Sequence, residues 1–183
     1  MRAVVIVAIV GFPLAVAAGP VSLGVSLGRS QTRTQAQLGL EPSNSLGLFG
    51  RMAVTRRFAA QLEIARLTSD AGAHTIRSAT ALAIVDLGSS PRLVPTVLGG
   101  FGKTWFADDG MIPSTDPAHV EIGVGLEYRS ASGLTIGADL RMGTRWSEHD
   151  LTYDADHRVT PYDPAPAYDG DYRSGRVTLG VQF

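Results

Sequence analysis

Arg176-Val177-Thr178-Leu179-Gly180-Val181-Gln182-Phe183 closes the chain, and its reading decides the fold. Val177, Leu179, Val181 and Phe183 occupy alternate positions, with Thr178, Gly180 and Gln182 between them. A period of two predicts a strand, because successive side chains leave an extended backbone on opposite faces. The same alternation recurs upstream over longer runs. Leu134, Ile136, Ala138, Leu140 and Met142 alternate with Thr135, Gly137, Asp139, Arg141 and Gly143. Val120, Ile122, Val124, Leu126 and Tyr128 alternate with Glu121, Gly123, Gly125, Glu127 and Arg129. Near the start, Val21, Leu23, Val25 and Leu27 alternate with Ser22, Gly24, Ser26 and Gly28.

A water-soluble sandwich also alternates, so the length of the pattern carries the argument. Soluble strands run about five or six residues. A tilted strand that crosses a bilayer needs about 9–11. The polar faces carry charges of both signs and many glycines, as a narrow enclosed lumen requires. Four further strands are expected near 46–55, 59–67, 75–87 and 93–106. In the last two, Leu82 and Ile84 compete with Ala81, Ala83 and Val85 for the apolar face, so their facing stays open. Pro95 and Gly99-Gly100 predict a bulge or bend there.

The connections point the same way. Short ones are expected at 56–58, 88–92 and 130–133. Longer polar ones are expected at 29–45, 68–74, 107–118 and 147–171. Short and long alternate, which is the pattern of an up-and-down transmembrane barrel with short periplasmic turns and longer outer loops. Eight antiparallel strands result, an all-β fold, with both termini periplasmic. Trp105, Phe106 and Trp146 then fall at the outer rim, where interfacial aromatics belong.

The N-terminus fits an exported chain. Arg2 precedes the apolar run Ala3–Val10. Gly11, Phe12 and Pro13 follow, and then the small residues Ala15-Val16-Ala17-Ala18. This order reads as a signal peptide over 1–17, cleaved after Ala17, with a single barrel domain over 18–183. The apolar stretch is shorter than the roughly 20 residues of a helical span. No cysteine is present, which excludes a lipidated anchor, disulfides and thiolate metal sites. Sixteen Lys and Arg against seventeen Asp and Glu give a net charge of −1, so no basic field argues for nucleic acid.

These residues resemble a family. The mature chain is similar to the small eight-stranded outer-membrane barrels, the group that includes the transmembrane domain of outer-membrane protein A. The resemblance rests on the signal, Leu48-Phe49-Gly50-Arg51, Ala60-Gln61-Leu62-Glu63, the two long alternating runs and the Val177–Phe183 ending. It implies an integral bacterial outer-membrane protein surrounded by lipid and lipopolysaccharide. It also implies that Val177, Leu179, Val181 and Phe183 are the signal shown to the barrel assembly machinery. No peptidoglycan-binding domain follows the barrel, so a cell-wall tether is not expected.

The charged residues on the polar faces predict an ionic network. A 56–58 turn would set Arg51 opposite Glu63. Across the 130–133 turn, Glu121 falls opposite or diagonal to Arg141, with Arg145 within a register shift. Asp139 lies within reach of Arg176. An arginine facing lipid at mid-depth costs about 2–4 kcal/mol, so these groups belong inside. Arg51, Glu63, Glu121, Glu127, Asp139, Arg141, Arg145 and Arg176 are therefore expected to fill the lumen and close it. A hydrated lumen without specific pairs is the alternative.

Other motifs carry little. Val97–Thr104 nearly spells a phosphate-binding loop, but Val97 replaces the first glycine and no helix follows. His74, His119, His149 and His157 are expected in loops or at the outer rim. A lipid-modifying site built on His119 or His149 would need a nucleophile at a fixed spacing, and none stands out. The segment 147–171 is acidic and tyrosine-rich, with Tyr172 just beyond it, and suits protein contact. Its carboxylates match no calcium loop. No cofactor and no metal are expected. The expected role is non-enzymatic: structural, or surface interaction with an extracellular partner or lipopolysaccharide through the loops. The alternatives are a narrow channel for small or apolar solutes and, less favoured, a lipid A-modifying enzyme.

Overall fold

The computed structural model describes residues 19–34, 40–69, 75–88, 90–106, 117–146 and 170–183. The signal segment 1–17 and most of the acidic segment 147–171 lie outside the described residues, as do His74, His149 and His157. Eight strands form one sheet: β1 (Val21–Thr34), β2 (Leu40–Ala53), β3 (Phe58–Ser69), β4 (Thr75–Asp86), β5 (Leu93–Phe106), β6 (Ala118–Arg129), β7 (Leu134–Trp146) and β8 (Gly170–Gln182). Each pairs antiparallel with the next, and β1 pairs with β8, so the sheet closes into a barrel with no free edge. Closure gives every described strand a hydrogen-bonded neighbour on both sides, which is what a strand in lipid requires.

Alternation sets the two faces. The outward row of β7 carries Leu134, Ile136, Leu140 and Met142, and Leu140 keeps 67% of its surface open. Its inward row carries Thr135, Arg141 and Arg145, all buried. The same split runs around the barrel, with Leu23, Leu48, Leu62, Phe101, Ile122 and Val177 outward and exposed. An apolar belt this continuous cannot face water. It makes the molecule a transmembrane barrel, apolar toward lipid and polar within.

The facing of β4 and β5 is now defined. Leu82 and Ile84 point inward and are buried, as are Val94 and Leu98. Ala83, Val85, Val97 and Phe101 point outward. The alternation fails in this part of the sequence because both faces are apolar. The bulge expected at Pro95 and Gly99-Gly100 is absent. The β5–β6 register runs unbroken from Leu93↔Tyr128 to Lys103↔Ala118.

Two strands are longer than the alternation indicated. β1 and β2 stay paired from Arg29↔Asn44 to Arg33↔Leu40, through a segment read as a 29–45 loop. The Ser30 and Ser43 hydroxyls meet at 2.6 Å inside this extension. It is polar on both faces, so it carries no period-two signal.

At the end that carries the chain termini, the turns are tight. Phe183 N–H donates to Val21 O at 2.8 Å and Ala53 N–H to Pro20 O at 3.1 Å, which ties both ends to the barrel. The β6–β7 turn places Gly133 at φ 85°, a left-handed conformation that a side chain resists.

Candidate functional site in the barrel lumen

The inward rows converge on the barrel axis and bring charged groups together in two tiers. In the central tier Arg141 of β7 lies among three carboxylates. Its Nη1 donates to Glu121 Oε1 at 2.8 Å and to Glu63 Oε2 at 3.2 Å. Its Nε and Nη2 donate to the two oxygens of Asp139 at 2.6 and 3.1 Å. Glu63 of β3 also accepts from Ser26 Oγ at 2.8 Å and from Arg176 Nη1. Glu121 accepts from the Tyr172 hydroxyl at 2.7 Å. Glu63, Glu121 and Arg141 are 1%, 2% and 3% exposed. At such burial a charge is tolerated only when paired, and these are paired several times over.

The second tier lies nearer the termini. Arg51 of β2 donates through Nε to Gln61 Oε1 at 2.8 Å and through Nη1 to Glu127 of β6. Arg129 donates to Glu127 Oε1 at 2.6 Å and forks onto Asp86 at 2.8 and 3.2 Å. Such a fork matches both carboxylate oxygens at once and fixes geometry as well as charge.

Two of these contacts span the barrel. β2 and β6 are four strands apart in an eight-stranded ring, and so are β3 and β7. The Arg51–Glu127 and Glu63–Arg141 pairs therefore cross the lumen from wall to wall. Between the tiers lies a cavity of about 20 Å³, bounded by Arg51, Gln61, Thr96, Leu98, Glu127, Asp139 and Arg141. That is room for about one water. Below the second tier the lumen widens into a vestibule of about 420 Å³.

The end of the lumen away from Phe183 is organised around His119. Its Nε2 lies 3.0 Å from Thr80 Oγ1, and its Nδ1 lies 3.4 Å from Thr104 Oγ1. The Tyr172 ring stands edge-on to it, with centroids 6.3 Å apart. Arg145, the register partner of His119, lies 4.5 Å from the Tyr172 centroid as a cation over an aromatic face. Gly143 has no room for a side chain: a β-carbon there would fall 2.2 Å from the Val120 carbonyl oxygen and 2.8 Å from the Tyr172 hydroxyl.

No protein-family model and no curated protein matches the sequence. Solved structures do match in shape. Neisserial surface protein A aligns over 90% of this chain and 97% of its own, with a TM-score of 0.61 and 13% identity. The N-terminal β-barrel domain of Pseudomonas aeruginosa OprF aligns over 88% and 97%, with a TM-score of 0.55 and 14% identity. Ail, the attachment invasion locus protein of Yersinia pestis, aligns over 90% and 99%, with a TM-score of 0.53 and 13% identity. The chain has the fold of the small eight-stranded outer-membrane barrels.

Within that fold, several sequence expectations change. Arg51 stands opposite Gln61, not Glu63, and Glu63 stands opposite Phe49. The β2–β3 turn spans 54–57 and is held by Thr55 Oγ1, which accepts the Arg57 and Phe58 N–H groups. It starts two residues earlier than the alternation suggested, so every pairing slips by two. A slip of two keeps each side chain on its face and changes only its partner. Asp139 and Arg176 are register partners, yet Arg176 bonds Glu63 and Asp139 bonds Arg141. Arg145 contacts the Tyr172 ring rather than Glu121, and its Nε has no hydrogen-bond partner among the described residues. Glu121 and Arg141 lie diagonal, within bonding distance.

His119 is buried in the lumen at 4% exposure, not displayed at the rim. Tyr172, read as the continuation of the tyrosine-rich loop, is an inward residue of β8. The ionic contacts also include Asp86 and Arg129, and the neutral Ser26 hydroxyl joins them by its hydrogen bond to Glu63; none of the three was expected in the network. Arg129 follows Glu127 on the polar phase of β6, a signal that was present. Trp146 faces outward and is exposed, Trp105 is half-buried beside Arg77, and the Phe106 side chain lies outside the description. Val177, Leu179, Val181 and Phe183 all face outward.

Proposed function

We propose that the protein is an integral outer-membrane barrel with a closed lumen, acting as a structural or surface-interaction protein and not as an enzyme. The observation that carries this reading is the pair of wall-to-wall contacts, Arg51–Glu127 and Glu63–Arg141, with a cavity of about 20 Å³ between them. An eight-stranded barrel has interior room only for its own side chains or one small ligand. Here the side chains take that room. Arg51, Glu63, Glu121, Glu127, Asp139, Arg141, Arg145 and Arg176 act in this reading as a structural plug. The signal 1–17 is removed on export, and both termini lie in the periplasm. Val177, Leu179, Val181 and Phe183 serve as the assembly signal, and Trp105 and Trp146 sit at the interface. The connections at 107–116 and 147–169 meet an extracellular partner or lipopolysaccharide.

Planar-bilayer conductance of the refolded protein tests the plug. The expected result is no large, stable channel, and a steady channel in the unmodified protein sinks the closed-lumen reading. The apolar inward patch of Leu82, Ile84 and Leu98 is the feature that favours the alternative, passage of a small apolar solute. Solute uptake by liposomes separates the two. For the enzymatic alternative, His119 holds threonine hydroxyls inside the barrel, away from the acyl chains a lipid hydrolase must reach. Mass analysis of lipid A with and without the protein is expected to show no change.

A further inference from the structure

We infer that Arg56, Arg57 and Arg92, on turns at the end of the barrel nearer Phe183, bind the headgroups of net-anionic phospholipids in the adjoining leaflet. The β2–β3 turn presents Arg56 and Arg57, and the β4–β5 turn presents Arg92. All three side chains are exposed. Their guanidinium groups have no partner among the described residues. The two turns are neighbours and are fixed by hydrogen bonds. Asp86 N–H donates to Arg57 O at 2.8 Å, and Arg129 N–H donates to Arg92 O at 2.8 Å. Thr55 Oγ1 accepts the Arg57 N–H at 3.2 Å, and Ser90 Oγ accepts the Leu93 N–H at 3.3 Å. The carboxylates nearest these turns, Asp86 and Glu127, are already engaged by Arg129 and Arg51. No exposed carboxylate side chain stands at this end among the described residues.

Chain position sets the depth of these cations. Arg57 directly precedes Phe58, and Arg92 directly precedes Leu93. Phe58 and Leu93 open the outward rows of β3 and β5, and both are exposed. Val85 pairs with Phe58 and Tyr128 with Leu93, which extends the apolar rim over β4 and β6. One strand residue advances about 3.3 Å, so the arginines stand just beyond the apolar belt. That is the level of lipid headgroups, where an outward cation costs close to nothing. A guanidinium fork matches phosphate oxygens in pairs. A zwitterionic headgroup also brings an ammonium, which finds no exposed carboxylate here, so net-anionic lipids are favoured. Lipid covers the Phe58 and Leu93 rim in any bilayer and carries its phosphates to the arginines. A soluble anion gains nothing from that rim. The lumen and the connections at the far end take no part in this contact, which needs only the apolar belt to lie in a membrane.

A tryptophan beside the patch reports which lipid sits there. Phe58→Trp is combined with Trp105→Phe and Trp146→Phe, which removes both native tryptophans. The protein is refolded into phosphatidylcholine vesicles in which a fixed minor fraction carries brominated chains. That fraction is phosphatidylcholine in one arm, phosphatidylethanolamine in a second and phosphatidylglycerol in a third. Quenching is expected to be strongest with phosphatidylglycerol at equal bulk fraction. Arg57→Gln is expected to lower that preference about fivefold, the worth of one charge near an anionic surface. Arg56→Gln, Arg57→Gln and Arg92→Gln together are expected to abolish it. Arg57→Lys with Arg92→Lys keeps the charge and is expected to retain it. Arg77→Gln with Lys103→Gln, far from these turns, is expected to leave it unchanged. Equal quenching by the three lipids in a folded barrel overturns the inference and leaves the closed-lumen reading standing. Loss of the preference on adding inorganic phosphate or polyglutamate at constant ionic strength overturns it in favour of a soluble anion. A chain that never yields a compact, boiling-sensitive gel band overturns the barrel reading and the inference with it.

Discussion

The two walls of the lumen are built on different chemistry. The wall of β6, β7 and β8 carries Glu121, Glu127, Arg129, Asp139, Arg141, Arg145 and Arg176 inward. The wall of β4 and β5 carries Leu82, Ile84, Val94 and Leu98, with hydroxyls at Thr80, Thr96 and Thr104. Neither wall closes the barrel alone. The charged wall reaches across to Glu63 and Arg51 and, at the end nearer Phe183, to Asp86 of β4, while Leu82, Ile84 and Leu98 of the apolar wall cluster together with Ala59 packed against them. The comparison separates two kinds of cohesion. Charged contacts are directional and fail when one partner goes. Apolar contacts are additive and shrink with area.

Substitutions can break that distinction or sharpen it. Glu63→Gln is expected to act most strongly, since it leaves Arg141 and Arg176 short of a carboxylate deep in the lumen. Breaking a buried pair from one side costs about 3–5 kcal/mol. Urea unfolding in vesicles, followed by heat-modifiable gel migration, measures it. A Glu63→Met, Arg141→Met double variant is expected to be less damaged than the sum of its single variants, because it removes both charges. Simple additivity would contradict the coupling. Leu98→Ala on the apolar wall is expected to cost about 2–4 kcal/mol, as burial and cavity terms together dictate. It should leave planar-bilayer conductance silent, whereas Glu63→Ala with Arg141→Ala should raise it. Equal conductance from both walls would erase the contrast. Gly143→Ala is expected to cost about 1–3 kcal/mol by crowding the Val120 carbonyl of the neighbouring strand and the Tyr172 ring. The unfolding midpoint is the measurement. Tyr172→Phe is expected to have the smallest effect, about 1–2 kcal/mol for one hydrogen bond to a charged acceptor.

How far the site was legible differs between the walls for the same reason. On β6 and β7 one face is polar, so the phase of the pattern assigns Glu121, Glu127, Asp139 and Arg141 to the interior directly. On β4 and β5 both faces are apolar, and Leu82 against Ala81 has no sequence answer. The structure settles it by size: alanines line the lipid side and the larger leucine and isoleucine fill the lumen. Tyr172 was hidden because its neighbours toward the loop are acidic and aromatic. Its inward phase shows only when β8 is counted back from Thr178.

Sequence alone determined the strands and their number, and on β1, β6, β7 and β8 their faces, since the two-residue period is a property of the local backbone and needs no partner. Partner choice was decided only by tertiary structure. Arg51 meets Glu127 because a four-residue turn displaced β2 against β3 by two, and because closure brought β6 across the axis. Register and closure depend on residues far apart in the chain, and a one-dimensional pattern that repeats every two positions is blind to a displacement of two.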